Sequence, residues 1–138
     1  MTGQLATLAV SERDGVPVVS VAGEVDLTNV SEIGERIARA VPNSALGLVV
    51  DLSRTSFLDS AGLRLFFQLA RRLDGHGQQL RIAVPADAVI RKALTVAEIP
   101  RVATLHTEAG EAVAAIVAQS SDSSTPAPPS GQTPKPAR

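Results

Sequence analysis

Cysteine, tryptophan and tyrosine are absent from this chain of 138 residues, and three phenylalanines are its only aromatic residues. The lack of cysteine excludes disulfides, thiolate metal sites and thiol redox control. With so few aromatic rings, we do not expect a base-stacking surface for nucleic acid. The 13 basic and 14 acidic residues nearly cancel, so the charge gives no footprint for nucleic acid or for an anionic membrane.

Long apolar segments are also missing from the sequence. We find neither a charged start followed by an apolar core nor an apolar run of about 18 residues, so we predict no signal peptide and no membrane insertion. The cytoplasm is the expected location. The only histidines, His76 and His106, are isolated in the sequence, so we predict no metal site, and nothing compels a cofactor.

The remaining pattern alternates between strands and helices. Asp14-Gly15 separates two runs rich in Val, Leu and Ala and predicts a hairpin of strands over 5–10 and 16–22. Periodicity predicts further strands over about 46–51, 80–84 and 102–105, and helices over about 29–41, 60–73, 87–94 and 108–119. This order implies an α/β fold, with a mixed four- to five-stranded sheet that begins with an antiparallel hairpin and about four helices packed mainly on one face.

Local signals also predict how some helices begin and end. Asn29, with Glu32 three residues later, resembles a capping box, and Thr28 is an alternative cap. We predict Asp87 and Thr107 as the caps of the last two helices. Within the helix that follows Asp87, the spacing predicts that three apolar residues face inward, namely Val89, Ile90 and Ala93.

From Ser120 onward the composition changes to small polar residues and proline. Residues 120–138 contain five prolines and no large apolar side chain. Such a segment cannot bury enough surface to offset its ordering entropy. We therefore predict one folded domain over 1–119 and a disordered tail over 120–138.

The most informative stretch is the junction between the third strand and the second helix, at Asp59-Ser60. An apolar run over 46–50 precedes it, and apolar residues at helical spacing follow it. A serine or aspartate at such a junction is usually a helix cap, which needs no further role. The same geometry suits a bound or attached phosphate, because the first-turn amides and the helix dipole attract anions.

The chain resembles the STAS domain, and more closely the small bacterial anti-sigma factor antagonists of the SpoIIAA type. Three segments carry the resemblance. They are Val21-Ala22-Gly23-Glu24-Val25-Asp26, Leu48-Val49-Val50-Asp51-Leu52-Ser53 and Phe57-Leu58-Asp59-Ser60-Ala61-Gly62-Leu63. The resemblance covers about residues 4–119. Many relatives carry a second serine where this chain has Ala61, so Ser60 is left as the only hydroxyl of the short motif.

The resemblance implies a regulatory binding protein with no catalytic activity. Ser60 would be phosphorylated by an anti-sigma factor that is itself a serine kinase of the GHKL type, and a phosphatase would reset it. The unphosphorylated protein would bind this kinase and free a sigma factor, and it would be a monomer when free. We predict that five residues form the partner site, namely Asp26, Asp59, Ser60, Gly62 and Arg64.

Other interpretations remain open from the residues alone. Asp26 is equally explained as a turn or cap residue. The polar side of the second helix is either a solvated face or a patch for an acidic partner, and it carries Arg64, Gln68, Arg71 and Arg72. A serine hydrolase is disfavoured, because the Gly-x-Ser-x-Gly elbow is missing. A phospho-receiver domain is disfavoured too, because no acidic pair ends the first strand.

Within the same fold, a second use stays open. Some STAS domains are not phosphorylated and serve as a subunit of a lipid-transporting ABC system or as part of a stress-signalling scaffold. The fold alone does not separate these uses.

Overall fold

The described part of the chain forms one mixed sheet with helices on both faces. The structure is a computed structural model, and it describes residues 6–124, with side chains as far as residue 119. In chain order the elements are β1 (Ala6–Arg13), β2 (Val16–Val25), α1 (Val30–Arg39), β3 (Gly47–Leu58), α2 (Ser60–Gly75), β4 (Gln79–Ala83), α3 (Val89–Val96), a 3-10 turn (Ile99–Arg101), β5 (Thr104–His106) and α4 (Ala109–Ser124).

The five strands of the described chain lie side by side in sequence order, from β1 to β5. β1 and β2 are antiparallel, and the later pairs are parallel. The connecting turn has positive φ at both Asp14 and Gly15. Those are the dihedral signs that a two-residue hairpin turn of type I′ requires. The mixed sheet with its antiparallel start confirms the fold predicted from the sequence.

The helices divide unequally between the two faces of the sheet. Residues of α1, α2 and α3 join the larger core, which contains Ile33, Phe66 and Leu94. Helix α4 covers the opposite face, where a smaller core contains Val113 and Ile116. Three of the four described helices thus share a face, as predicted, and alternation along β2 sends its valines into both cores.

The third strand is longer than its apolar run predicts. It was expected to end near residue 51, but it pairs with β2 as far as Leu58. The register shifts twice, each time with one extra residue on β3, so the ladder contains two bulges. Hydroxyls of β3 supply hydrogen bonds to carbonyls of β2 near these bulges. Thr55 donates to the Val21 carbonyl at 2.6 Å, and Ser56 donates to the Gly23 carbonyl at 3.3 Å.

Some local predictions about helix α3 were wrong. The residue before its first turn is Ala88, not Asp87, and no described side chain caps this helix. Val89 was expected inside but is 85% exposed. Ile90 and Leu94 are the buried residues, because α3 begins one residue later than a cap at Asp87 would place it and its first residue points away from the sheet.

Helices α1 and α4 also begin differently from the predictions. Asn29 precedes α1, yet its side chain makes no cap bond, so the predicted capping box is absent. Thr107 was predicted as the cap of α4. The contact that its hydroxyl makes is with a side chain, since it donates to the Glu111 carboxylate at 3.0 Å.

The predicted domain boundary at residue 119 falls inside a helix, because α4 continues to Ser124. Residues 125–138 of the predicted tail lie outside the described residues, so their disorder stays a prediction. Among the described helices, none has the length and apolar character needed to cross a bilayer.

Candidate functional site

The ends of β2 and β3 bring the predicted site residues to one edge of the sheet. Val25 pairs with Leu58, and the Asp59 amide donates to the Val25 carbonyl at 3.2 Å. Both chains then turn away from the sheet, one into the loop of Asp26 and the other into helix α2. In parallel sheets this carboxyl edge is where binding sites are usually found.

Asp59 joins these two segments through its carboxylate. One oxygen accepts the Gly62 amide at 3.0 Å, which caps α2, and the other accepts the Leu27 amide at 3.1 Å. The sequence predicted that either Asp59 or Ser60 caps α2. In the structure the cap is Asp59. The same carboxylate fixes the start of the helix against the loop that follows β2.

Ser60 is the first residue of α2, and its side chain is exposed. Within the described part of the chain its hydroxyl makes no hydrogen bond. The cap bond that a serine would ordinarily supply here is already made by Asp59. The Ser60 hydroxyl is thus accessible and takes no part in holding the fold.

Asp26 is engaged mainly with its own loop. Its carboxylate accepts the Thr28 amide at 2.9 Å and the Thr28 hydroxyl, as in an Asx turn. The Asn29 side chain closes the loop from the other side, accepting the Asp26 amide and donating to the Glu24 carbonyl, both at 2.9 Å. Several hydrogen bonds therefore hold the loop together, and the residue after Asp26, Leu27, is the one bonded to Asp59.

Gly62 is buried in the first turn of α2. A Cβ atom at this position would lie 3.2 Å from the Val25 carbonyl oxygen and 3.3 Å from the Leu58 side chain. Glycine thus lets the helix start pack closely on the strand ends. Because Gly62 is covered, it fixes the position of α2 and presents no surface of its own.

The polar side of α2 is exposed as the sequence predicts, including Arg64, Gln68, Arg71 and Arg72. Arg64 lies one helical turn after Ser60, on the same side of the helix.

The sequence reasoning missed two exposed apolar residues beside the junction. Leu27 is 75% exposed and Phe57 is 47% exposed. A lone leucine between two turn residues, Asp26 and Thr28, was the available signal. The site thus combines an accessible hydroxyl, two carboxylates and exposed apolar side chains.

A metal centre is not formed by the described residues. No group of three or more histidine, aspartate or glutamate side chains within 6–124 is placed to hold a cation.

The family model of the STAS domain matches residues 7–112. The chain belongs to the STAS domain family. The site of this STAS domain, from Asp26 to Arg64, lies inside the matched segment.

Its relatives include an anti-sigma-F factor antagonist, RsfB, of Mycobacterium tuberculosis. The two are 34% identical over 80 residues, which is 58% of this chain and 63% of RsfB. The match therefore spans less than two thirds of the length of RsfB.

Solved structures of similar shape support the same fold. An anti-sigma factor antagonist from Mycobacterium paratuberculosis has a TM-score of 0.72 and 28% identity, over 81% of this chain and 94% of the other. SpoIIAA in its unphosphorylated form has a TM-score of 0.65 and 22% identity, over 81% of this chain and 97% of that one. The STAS fold expected from the sequence is thus confirmed.

Proposed function

We propose that this STAS domain protein is an anti-sigma factor antagonist, which binds an anti-sigma factor in the cytoplasm and thereby frees a sigma factor. The observation that carries the proposal is Ser60, an exposed serine at the start of α2 whose hydroxyl the fold does not use. RsfB and the Mycobacterium paratuberculosis protein, both named as antagonists, support it. The role is one of binding, and it needs neither a catalytic group nor a cofactor.

We further propose that Ser60 is the switch. The kinase would be the anti-sigma factor itself, of the GHKL type, and a phosphatase would restore the free hydroxyl. Phosphorylation adds roughly −1.5 to −2 charges. Asp59 is adjacent and already negative, and at about 6 Å and an effective dielectric near 20 a full-charge pair repels by ~3 kcal/mol before salt screening.

The fold should tolerate this added charge. Among the described residues, the Ser60 hydroxyl has no hydrogen-bond partner that phosphorylation would remove, and the N-terminus of α2 favours a negative group. A partner docked over Ser60 would instead have to desolvate a dianion next to a carboxylate. We therefore expect phosphorylation to block binding while leaving the protein folded and monomeric.

A competition experiment tests this function. Unphosphorylated protein is titrated into the purified complex of an anti-sigma factor with its sigma factor, and released sigma factor is measured. Wild type and Ser60→Ala should release it, whereas Ser60→Asp should not. Ser44→Asp is the matched control, because Ser44 is also exposed but lies just before β3, at the opposite end of that strand.

If Ser60→Asp releases the sigma factor as efficiently as wild type, the switch at Ser60 is wrong. If wild type releases none from any candidate complex, the antagonist function is wrong, and a role as an unphosphorylated adaptor subunit of a transporter or scaffold would take its place.

A further inference from the structure

An open groove of about 660 Å³ runs between helices α1 and α2. We call it the α1–α2 groove. Its floor is lined by small and apolar residues, including Gly34, Ala38, Ala61, Leu65 and Leu69. The two helices approach closely at its base, where a Cβ atom on Gly34 would lie 2.9 Å from the Leu65 side chain.

The rim of the α1–α2 groove is predominantly positive. Three arginines line it, namely Arg39, Arg64 and Arg72, against a single acidic residue, Glu35. All four side chains are exposed. Glu35 lies 3.9 Å from Arg39, with both side chains largely in water, so this pair is weak and leaves the rim attractive to anions.

The shape of the α1–α2 groove suits a helical segment. Along α2 the lining runs from Ala61 to Arg72, which is about 16 Å at 1.5 Å per residue. That length matches three turns of a docked helix. An amphipathic helix laid in such a groove uses apolar anchors spaced three and four residues apart.

We propose that the α1–α2 groove binds an acidic amphipathic helix of the anti-sigma factor, with apolar side chains over Leu65 and Leu69 and carboxylates beside the rim arginines. This inference rests on the proposed function and names the part of the partner that is recognised. Leu27, exposed at the end of the groove nearest Ser60, extends the apolar contact.

The position of Ser60 couples this groove to the switch. Ala61 begins the groove lining on α2, and Arg64 follows Ser60 by four residues on the same side of the helix. A phosphate on Ser60 would therefore repel an acidic helix at this end and compete with it for Arg64. Loss of binding on phosphorylation follows from the same charges that attract the helix.

The test compares neighbouring arginines of α2. Arg72→Glu reverses a rim charge, and Arg71→Glu reverses an exposed charge on the same helix that does not line the groove. Affinity for the purified anti-sigma factor is measured by titration calorimetry at two salt concentrations. We expect Arg72→Glu to weaken binding by about tenfold or more and to reduce its salt dependence, and Arg71→Glu to change affinity by about twofold at most.

A second pair of variants distinguishes docking in the groove from electrostatic attraction between the two proteins. Ala38→Trp fills the floor without changing charge and should also weaken binding. Ala114→Trp adds the same side chain at an exposed position of α4 and should not. Thermal melting shows whether each variant is folded.

The outcomes distinguish the two proposals. If wild type binds but Arg72→Glu and Ala38→Trp bind equally well, the groove is not the docking site, although the antagonist function stands. If wild type binds no anti-sigma factor, the proposed function fails and this occupant of the groove fails with it.

Discussion

Asp59 and Ser60 are neighbours in the sequence, but the fold uses them differently. The Asp59 carboxylate accepts two backbone amides, one in α2 and one in the loop after β2. The Ser60 hydroxyl, by contrast, projects from the first helical residue into solvent. Because the cap is supplied by the preceding residue, chemistry at Ser60 can change the surface without removing a bond from the fold.

Asp59→Ala should therefore destabilise the protein. The substitution removes the cap of α2 and leaves the Leu27 amide without its acceptor, so we expect the free energy of unfolding to fall by about 1 to 2 kcal/mol. Asp87→Ala is the control, since Asp87 is exposed and caps no helix, and it should change stability by less than about 0.5 kcal/mol. Urea denaturation measures both, and equal losses would contradict the assigned role of Asp59.

At this scale the sequence pointed to the Asp59-Ser60 junction but did not assign the hydrogen bonds made there. Asp59-Ser60 was identifiable because the hydrophobic period changes there. Which oxygen caps the helix depends on how the chain turns from β3 into α2, and this turn directly follows the long-range pairing of Val25 with Leu58. The exposed position of Leu27 depends on the same long-range pairing, so it too was missed.

Among the elements, β3 shows most clearly what local pattern cannot predict. Its apolar run ends at residue 50, and the strand was predicted to end near residue 51. The strand nevertheless continues, because β2 beside it still offers partners and the Thr55 hydroxyl satisfies a β2 carbonyl while buried. That compensation joins residues 34 positions apart, so no local window could reveal it.

Glycine at the start of β3 is required by the packing of that strand. A Cβ atom on Gly47 would lie 2.6 Å from the Gln79 carbonyl oxygen, whereas one on Gly75, at the end of α2, meets nothing within 4 Å. We expect Gly47→Ala to lower the free energy of unfolding by about 1 to 3 kcal/mol. Gly75→Ala should leave it unchanged or raise it by up to about 1 kcal/mol. Chemical denaturation of the two variants checks the contrast, and a harmless Gly47→Ala would contradict this close contact.

His106 links β5 to β4 in its neutral form. Its Nε2 accepts a hydrogen bond from the Arg81 guanidinium at 3.1 Å. Burial lowers the pKa of His106 below its ordinary value of 6.5, and the charges of Arg81 and Arg91 lower it further, while Glu111 partly opposes them. The folded protein therefore takes up this proton less readily than the unfolded chain does.

Stability should consequently depend on pH through His106. Its contribution is present above pH 6.5 and is lost as the pH falls through the lower pKa of the folded state. Denaturant unfolding of wild type and His106→Gln, followed from about pH 7.5 to about pH 5, isolates this part, since other titrating groups are common to both. We expect the wild type to lose more stability on acidification than the variant, and parallel curves would show that His106 is not responsible.

Across the whole molecule, the sheet supports the edge at which the proposed partner site lies. Two cores pack against β2 and β3 from opposite faces, and the side chains of both cores are almost fully buried. At the carboxyl edge, the loop after β2 carries Asp26, and the start of α2 carries Asp59 and Ser60. Overall topology was predictable, because a hairpin signal followed by alternating periods restricts the order of strands. The packing of α4 on the second face of the sheet was less predictable, because the apolar stripe of a helix does not specify which face of the sheet it contacts.

The measurement that tests the switch most directly is the intact mass of the protein after incubation with its anti-sigma factor and ATP. We predict that wild type gains one phosphate and Ser60→Ala gains none. The phosphorylated protein should then lose its affinity for the anti-sigma factor while its thermal melting stays within a few degrees of the unmodified form. Absence of phosphate on wild type, addition to Ser60→Ala, or undiminished binding by the phosphorylated protein would contradict the role given to Ser60.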